Sequence, residues 1–263
     1  MSLFFYKPIT PGLRGKSKLI NNFYKFTISK KFYKIINYKA GRNNLGHITV
    51  RHKGGRCKRK YRILDFYRSY LNLKAKVLRI EYDPYRNSNI LFISYFNGKK
   101  SYIISPKNIK INNVIISSKD CFSKDSLNIG NSFLLNNIPE GTKIHCLENY
   151  PGGGAKYSRS SGSFCILISK NNNYANVLLK SGKMKKFNLN CRATIGEVGN
   201  EKYNLIKKGK AGVNRLKGIR PTVRGVAMNP VDHPHGGGEG KTSGGRDPVS
   251  PWGLPSKGFK TKR

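Results

Sequence analysis

Residues 225–240 read Gly-Val-Ala-Met-Asn-Pro-Val-Asp-His-Pro-His-Gly-Gly-Gly-Glu-Gly, with Asp232, His233, His235 and Glu239 as the titratable side chains. Three chemistries suggest themselves, and the spacing rejects each. Gly240-Lys241-Thr242 resembles the end of a phosphate-cradling P-loop, but that motif needs its first glycine five residues before Gly240. His235 stands there. His235-Gly236-Gly237-Gly238 matches the oxyanion loop of lipases, yet the chain has no Gly-x-Ser-x-Gly nucleophile elbow. His233 and His235 could ligate a metal, but two histidines are not four ligands. No Cys-x-x-Cys occurs, and the nearest other histidine is His145. No catalytic group, metal site or cofactor is expected, apart from Mg²⁺ or K⁺ shared with a nucleic acid.

What the stretch does suit is close backbone approach. Pro230 and Pro234 fix φ and remove donors. Gly236, Gly237 and Gly238 admit left-handed dihedrals and carry no side chain to hold a partner off. Arg215, Lys217, Arg220 and Arg224 precede it, and Lys241 and Arg246 follow. A rigid histidine-bearing loop amid cations, with Asn229 at its start, implies a polyanionic partner. The whole chain agrees. Its 263 residues hold 51 Lys and Arg against 12 Asp and Glu, a net charge of +39. Such charge repels itself unless neutralised, and nucleic acid is the usual neutraliser. No run of 18 apolar residues is present to span a bilayer. Five scattered cysteines, Cys57, Cys121, Cys146, Cys165 and Cys191, argue for reduced thiols.

The elements that must position the loop are read from composition and period. Residues 1–64 carry 17 Lys or Arg and no acidic residue, with scattered aromatics. Rings can stack on bases while cations meet phosphates, so this arm is expected to order along RNA. Arg42, Arg51, His52, Lys53, Arg56, Lys58 and Arg59 are its contact candidates. Pro8-Ile9-Thr10-Pro11-Gly12 is too early and too turn-rich for an amphipathic presequence.

Strands are expected from Tyr61 to Phe66, across the alternation Leu78–Tyr82, and over the apolar run Ile90–Phe96. Asn97-Gly98 predicts a type I′ hairpin into Lys99–Ile104, and Val114–Ile116 continues the pattern. After a polar boundary near Cys121–Leu127, a second β unit is expected at Ile144–Leu147, Phe164–Ser169, Tyr174–Leu179 and Lys183–Leu189. Pro151 to Gly162 reads as a loop that sets Lys156 and Arg159 against a phosphate path. Cys191 to Asn200, which includes Arg192, closes the β region. Residues 201–263, with 14 basic and 4 acidic residues, read as a Gly- and Pro-rich tail. A short helix near Tyr203–Lys208 and the single Trp252, a candidate wedge on RNA or equally on protein, are its features. Both arms lack apolar surface, so a protease-resistant core near 61–200 is expected without RNA.

Several runs resemble the L-two family of large-subunit ribosomal proteins. They include Lys7–Gly12, Gly41–Asn44, Arg51–Gly55, Tyr61–Phe66, Ile80–Pro84, Cys191–Thr194, Gly196–Gly199, Arg220–Gly225 and Met228–Gly240. They lie in order along nearly the whole chain. The resemblance implies an all-β core: an OB-like barrel at 61–125, then an SH3-like barrel at 126–200. Long basic irregular extensions at 1–60 and 201–263 would penetrate ribosomal RNA. It further implies a place near the peptidyl transferase centre, neighbouring ribosomal proteins, small-subunit contacts at the intersubunit face, tRNA placement and a role in assembly. DNA and membranes are not expected partners. Residues 13–40, the loop at 152–157 and the short basic tail depart from the bacterial pattern.

His233 takes the position of the family's much-discussed histidine. Nearby phosphates would favour its protonated form, which is no base, and Asp232 and Glu239 could hold the ring. It is expected to fix geometry, not to catalyse. Heavy use of Lys, Asn, Ile, Tyr and Phe, whose codons are A/T-rich, suggests an organelle-made protein. A mitochondrial ribosome is the first expectation, with a plastid ribosome or a bacterial cytoplasm as alternatives.

Overall fold

The computed structural model describes residues 2–20, 28–119, 127–240, 242 and 244–258. Most of the boundary expected at Cys121–Leu127, together with Lys241, lies outside the described residues. The chain divides into two compact units, residues 1–37 with 58–211, and residues 38–57 with 212–263.

The first unit is all β. Short antiparallel pairs join β1 (Leu3–Phe5) to β2 (Ser17–Leu19), and β3 (Tyr33–Ile35) to β4 (Lys60–Arg62). β5 (Lys74–Glu81), β6 (Ile90–Tyr95), β7 (Lys100–Ile104) and β8 (Val114–Ile116) form a four-stranded sheet in the order β7-β6-β5-β8. β9 (Ser132–Leu134), β10 (Lys143–His145), β11 (Leu147–Glu148), β12 (Ala155–Tyr157), β13 (Cys165–Lys170), β14 (Tyr174–Leu178), β15 (Met184–Asn188) and β16 (Arg192–Ile195) follow. Six of them make a sheet ordered β15-β14-β13-β10-β16-β9, and β11 pairs β12. Neighbours in both sheets are antiparallel, and the pairs consecutive in the chain, β5–β6, β6–β7, β13–β14 and β14–β15, are hairpins.

Each sheet buries one apolar set. Ala75, Val77, Leu91, Ile93, Ile103 and Ile115 fill the first core, and Phe133, Ile144, Leu147, Leu167, Val177 and Phe187 the second. A third cluster contains Leu64, Ile90, Phe92, Tyr102, Ile104 and Val198. It joins the two ends of the β region: Leu64 bridges Tyr102 in parallel, and Pro106 bridges Val198. The core therefore runs from Leu64 to Val198, and truncating a buried isoleucine or leucine within it should cost about 2–5 kcal/mol.

Several local expectations change. Gly98 has φ +80°, but Asn97 is not left-handed, so the turn is not type I′. Gly98 N–H donates to Tyr95 O at 2.9 Å and Tyr95 N–H to Lys99 O at 2.8 Å. These mark a three-residue loop, a type I turn closed by a left-handed glycine. Gly182 repeats the device between β14 and β15, with φ +80° and its N–H on Leu179 O at 2.9 Å. In β5 the register shifts between Val77 and Arg79. Leu78 is the extra residue of that bulge and stays 36% exposed, while Val77 is buried before it and Glu81 after it. Alternation alone places Leu78, Ile80 and Tyr82 on one face. The loop at 151–162 contains β12, and β1, β2 and β3 lie in the arm that shows no sequence period. The helix expected at Tyr203–Lys208 is a 3-10 turn at Glu201–Leu205, and one α-helical turn, α1, spans Gly212–Leu216.

Candidate nucleic-acid interface

The second unit is built from backbone pairing between two distant basic segments. Gly54 N–H donates to Gly218 O at 3.0 Å, Arg220 N–H to His52 O at 3.1 Å, and Lys53 bridges Ile219. Close approach explains the glycines. Gly218 has φ +83°, and a Cβ there would meet Gly54 O at 3.1 Å and Arg56 Cβ at 3.0 Å. The pairing gathers Arg51, His52, Lys53 and Arg56 beside Arg215, Lys217 and Arg220, all at least partly exposed. Arg56 lies 4.6 Å over the Tyr38 ring, and Arg51 lies 5.2 Å over Trp252, which is 72% exposed. Arg42, Arg224, Asn229 and Arg246 are at least partly exposed in the same unit. Two segments far apart in sequence thus form one cationic surface.

The Gly- and His-rich loop belongs to this unit and holds its own shape. Asp232 N–H donates to Asn229 O at 3.0 Å, Gly236 N–H to His233 O at 2.8 Å and Gly237 N–H to Met228 O at 3.1 Å. A Cβ on Gly236 would lie 2.3 Å from Asn229 O, so only glycine closes this turn. Gly237 and Gly238, at φ +93° and +92°, occupy the region that favours glycine. His233 is buried, and its Nδ1 accepts the backbone N–H of His235 at 3.0 Å. The two imidazoles stack with centroids 5.1 Å apart. His235 Nε2 accepts the N–H of Val249 at 3.1 Å, so its Nδ1 is the nitrogen that donates to Gly244 O at 3.2 Å. Each ring therefore has one nitrogen occupied as an acceptor.

This geometry changes the expectation for His233. A nitrogen that accepts an N–H carries no proton, so the ring that braces the loop is not the doubly protonated form. The neutral ring is nevertheless no free base, because the lone pair of Nδ1 is engaged and Nε2 carries the remaining proton. The bond comes from the backbone, while Asp232 and Glu239 are exposed. Among the described residues no cluster of three His, Cys, Asp or Glu is placed to hold a metal ion.

A second surface lies in the first unit. Tyr61, Phe66, Tyr85, Arg86, Asn87, Ser88, Arg159 and Ser160 line a cleft of about 420 Å³. Arg159 sits 5.1 Å over Phe66, and Arg86 lies 5.0 Å over Tyr61. Arg86 is steadied by Asp83 at 2.5 Å and Tyr61 Oη at 3.0 Å. Aromatic faces with guanidinium groups can stack a base and meet its phosphate. Sequence reasoning missed Arg86 and its aromatic neighbours. The available signal was Asp83-Pro84, a break that lifts the following residues out of β5. Lys58 and Lys156 are exposed, and Arg59 is half-buried with Nη1 3.4 Å from Pro84 O.

Arg192 is placed differently. It is buried at 9% exposure, and its backbone N–H donates to Glu148 Oε2 at 3.0 Å. Glu148 also accepts the N–H groups of Gly152 and Gly154, each at 3.2 Å, which shapes the loop carrying Lys156 and Arg159. Burial draws the Arg192 guanidinium below its ordinary range, opposed by the Glu148 charge. Beside it, His145 is fully enclosed with Nδ1 2.9 Å from Gly196 O, and burial lowers its pKa to about 4. Burial likewise pushes the Cys146 thiol up to about 12 and Cys191 up to about 11, so neither is a ready nucleophile near neutral pH.

Residues 29–117 match the family model described as the RNA binding N-terminal domain of ribosomal proteins L2, and residues 128–253 match its C-terminal domain. The chain belongs to the L2 family of ribosomal proteins. Two relatives named large ribosomal subunit protein uL2, from Paraburkholderia phymatum and Paraburkholderia xenovorans, are each 50% identical over 265 residues, covering 100% of this chain and 94% of theirs. As a family member, the chain is a structural, RNA-binding component of the ribosome and not an enzyme. The all-β architecture agrees with the family's OB-like and SH3-like fold.

Proposed function

We propose that the chain is a constituent of the large ribosomal subunit that binds its RNA near the peptidyl transferase centre. There it supports assembly, subunit association and tRNA placement. The observation that carries this reading is the family match across both β domains, joined to a net charge of +39. Large-subunit RNA and neighbouring ribosomal proteins are its partners, with small-subunit contacts at the intersubunit face. Any Mg²⁺ or K⁺ at the interface is shared with RNA phosphates. The loop at 225–240 supplies shape: His233 braces the turn through His235, which supports a positioning role over direct chemistry. The ribosome concerned is of bacterial type. The Paraburkholderia relatives favour a bacterial ribosome, whereas the A/T-leaning composition favours a mitochondrial one, with a plastid as the further alternative.

The test is His233→Ala in fully assembled particles, with peptide-bond formation followed across pH using a small, fast substrate. Normal chemistry in scarce but intact particles is expected. Slow chemistry in correctly folded particles, with loss of a pH-dependent step near neutrality, would make His233 a catalyst. A chain that fails to sediment with the large subunit would overturn the wider reading.

A further inference from the structure

Two buried arginines stand where the four-stranded and six-stranded sheets of the first unit meet. Arg68, from the segment between β4 and β5, reaches across: its Nη2 donates to Gly130 O at 3.0 Å, just before β9. Arg192, in β16, is buried almost as deeply, yet its Nη1 has no hydrogen-bond partner. Among the described residues, the ion pairs are made by Arg79, Arg86 and Lys107, and none by Arg192. A buried cation without a hydrogen-bonded partner is costly, so the surroundings of this guanidinium matter.

Both neighbouring carboxylates are held by backbone instead. Asp65 Oδ1 accepts the N–H groups of Tyr67 and Arg68 at 3.1 and 2.8 Å. Glu148 accepts those of Gly152, Gly154 and Arg192. Between them lies a cavity of about 20 Å³, lined by Asp65, Arg68, His145, Glu148, Arg192 and Thr194 among others. A water needs about 10–15 Å³ by this measure, so the cavity takes one small guest.

The lining selects the guest's chemistry. Two carboxylates oppose an anion, and two guanidinium groups oppose a cation. His145 adds an acceptor. Its Nδ1 donates to Gly196 O at 2.9 Å, and burial keeps the ring neutral by lowering its pKa to about 4, so Nε2 is bare. The guest must therefore accept from Arg192 and donate to Glu148 and His145. Chloride only accepts and ammonium only donates, whereas water does both.

We propose that this cavity is the site of a buried water that accepts a hydrogen bond from the Arg192 guanidinium and donates to the Glu148 carboxylate and His145 Nε2. The water turns two separated charges into one hydrogen-bonded pair at the joint between the β domains. The inference goes beyond the RNA-binding reading of the chain.

The test is density for assembled particles at a resolution that shows ordered water, from the parent and from Arg192→Met, which keeps side-chain length and removes the donors. In the parent a single peak is expected at about 2.7–3.2 Å from the Arg192 guanidinium and within hydrogen-bond reach of Glu148 or His145 Nε2. The peak should be lost in Arg192→Met. Its absence from a parent map that resolves Arg192 overturns the proposal, as does a peak of unchanged height in the variant. The parent map decides even where Arg192→Met fails to assemble. Melting of the free full chain separates water from an anion. The difference in melting temperature between parent and Arg192→Met should be equal in chloride and gluconate salts at one ionic strength. Stabilisation of the parent alone by chloride would make the guest an anion and overturn the assignment.

Discussion

His233 Nδ1 accepts the backbone N–H of His235 across the single intervening Pro234, at 3.0 Å. The bond fixes which nitrogen must be bare and so separates two isosteric substitutions. In Asn, the amide oxygen is two bonds from Cβ, as Nδ1 is; in Gln it is one bond further, matching Nε2. His233→Asn in assembled particles should therefore keep the His235 amide protected from hydrogen exchange. His233→Gln and His233→Ala should leave a partly buried N–H without its partner, a loss of about 1–3 kcal/mol locally, or roughly 5- to 150-fold in protection. Equal protection in Asn and Gln variants would mean that the ring acts through Nε2.

Gly225 lies against the same ring. A Cβ there would approach His233 Cε1, Nδ1 and Nε2 at 2.5, 2.6 and 2.7 Å, and the buried imidazole has little room to retreat. Gly225→Ala should therefore displace the ring and deplete assembled particles. Adding His233→Ala removes the clash, so the double variant should assemble better than Gly225→Ala alone. Simple additivity of the two defects would argue that Gly225 is needed for its backbone and not for the ring.

Much of this was legible in sequence, for physical reasons that differ by region. The apolar runs Ile90–Tyr95 and Cys165–Leu167 had to be buried, and Gly98 and Gly182 had to turn, so the hairpins were readable. The bulge at Leu78 was not, because an extra residue in a ladder leaves composition unchanged. The pairing of His52–Gly54 with Gly218–Arg220 was also hidden. It is made by backbone groups between residues over 150 positions apart, and backbone carries no sequence period. Arg159 stood out beside Gly162 as a loop cation. Arg192 looked equivalent by type, and only its burial near Glu148 separates them.

That separation has a measurable consequence. Arg159 is exposed at the aromatic cleft, so Arg159→Gln should weaken RNA binding and reduce the log–log salt slope by about 0.7–0.9 for each phosphate left without its cation. Arg192→Gln should leave the slope unchanged and lower the melting temperature, because it disturbs a buried charge beside Glu148. Titration of RNA affinity against salt for both variants distinguishes the roles. A flat salt response in the parent chain would mean that its cationic surface is not the interface.

His145 predicts a pH dependence. Burial holds its folded pKa at about 4, below the ordinary value of 6.5. Between those values the unfolded chain binds the proton and the folded chain does not, so stability falls as pH drops below 6.5. By pH 5 the loss from this group should be about 2 kcal/mol. His145→Asn cannot take up a proton, so its melting temperature should fall less than that of the parent between pH 7 and 5. Parallel curves would show that His145 titrates normally in the folded chain.

The two units should also differ in autonomy. Every buried apolar side chain among the described residues lies between Leu64 and Val198. In the second unit the buried described positions are Gly54, Gly218 and His233, two of which bury no side chain at all. Ordering roughly 1–2 kcal/mol of backbone entropy per residue needs more apolar burial than this unit contains, so RNA must supply the balance. Limited proteolysis of free chain should therefore cut first within 38–57 and 212–258, leaving the β region whole. Adding large-subunit RNA should slow those cuts, and raising the salt should restore them. Equal resistance of the second unit without RNA would show that its backbone pairing suffices, and its glycines and His233 would then be elements of an independent fold.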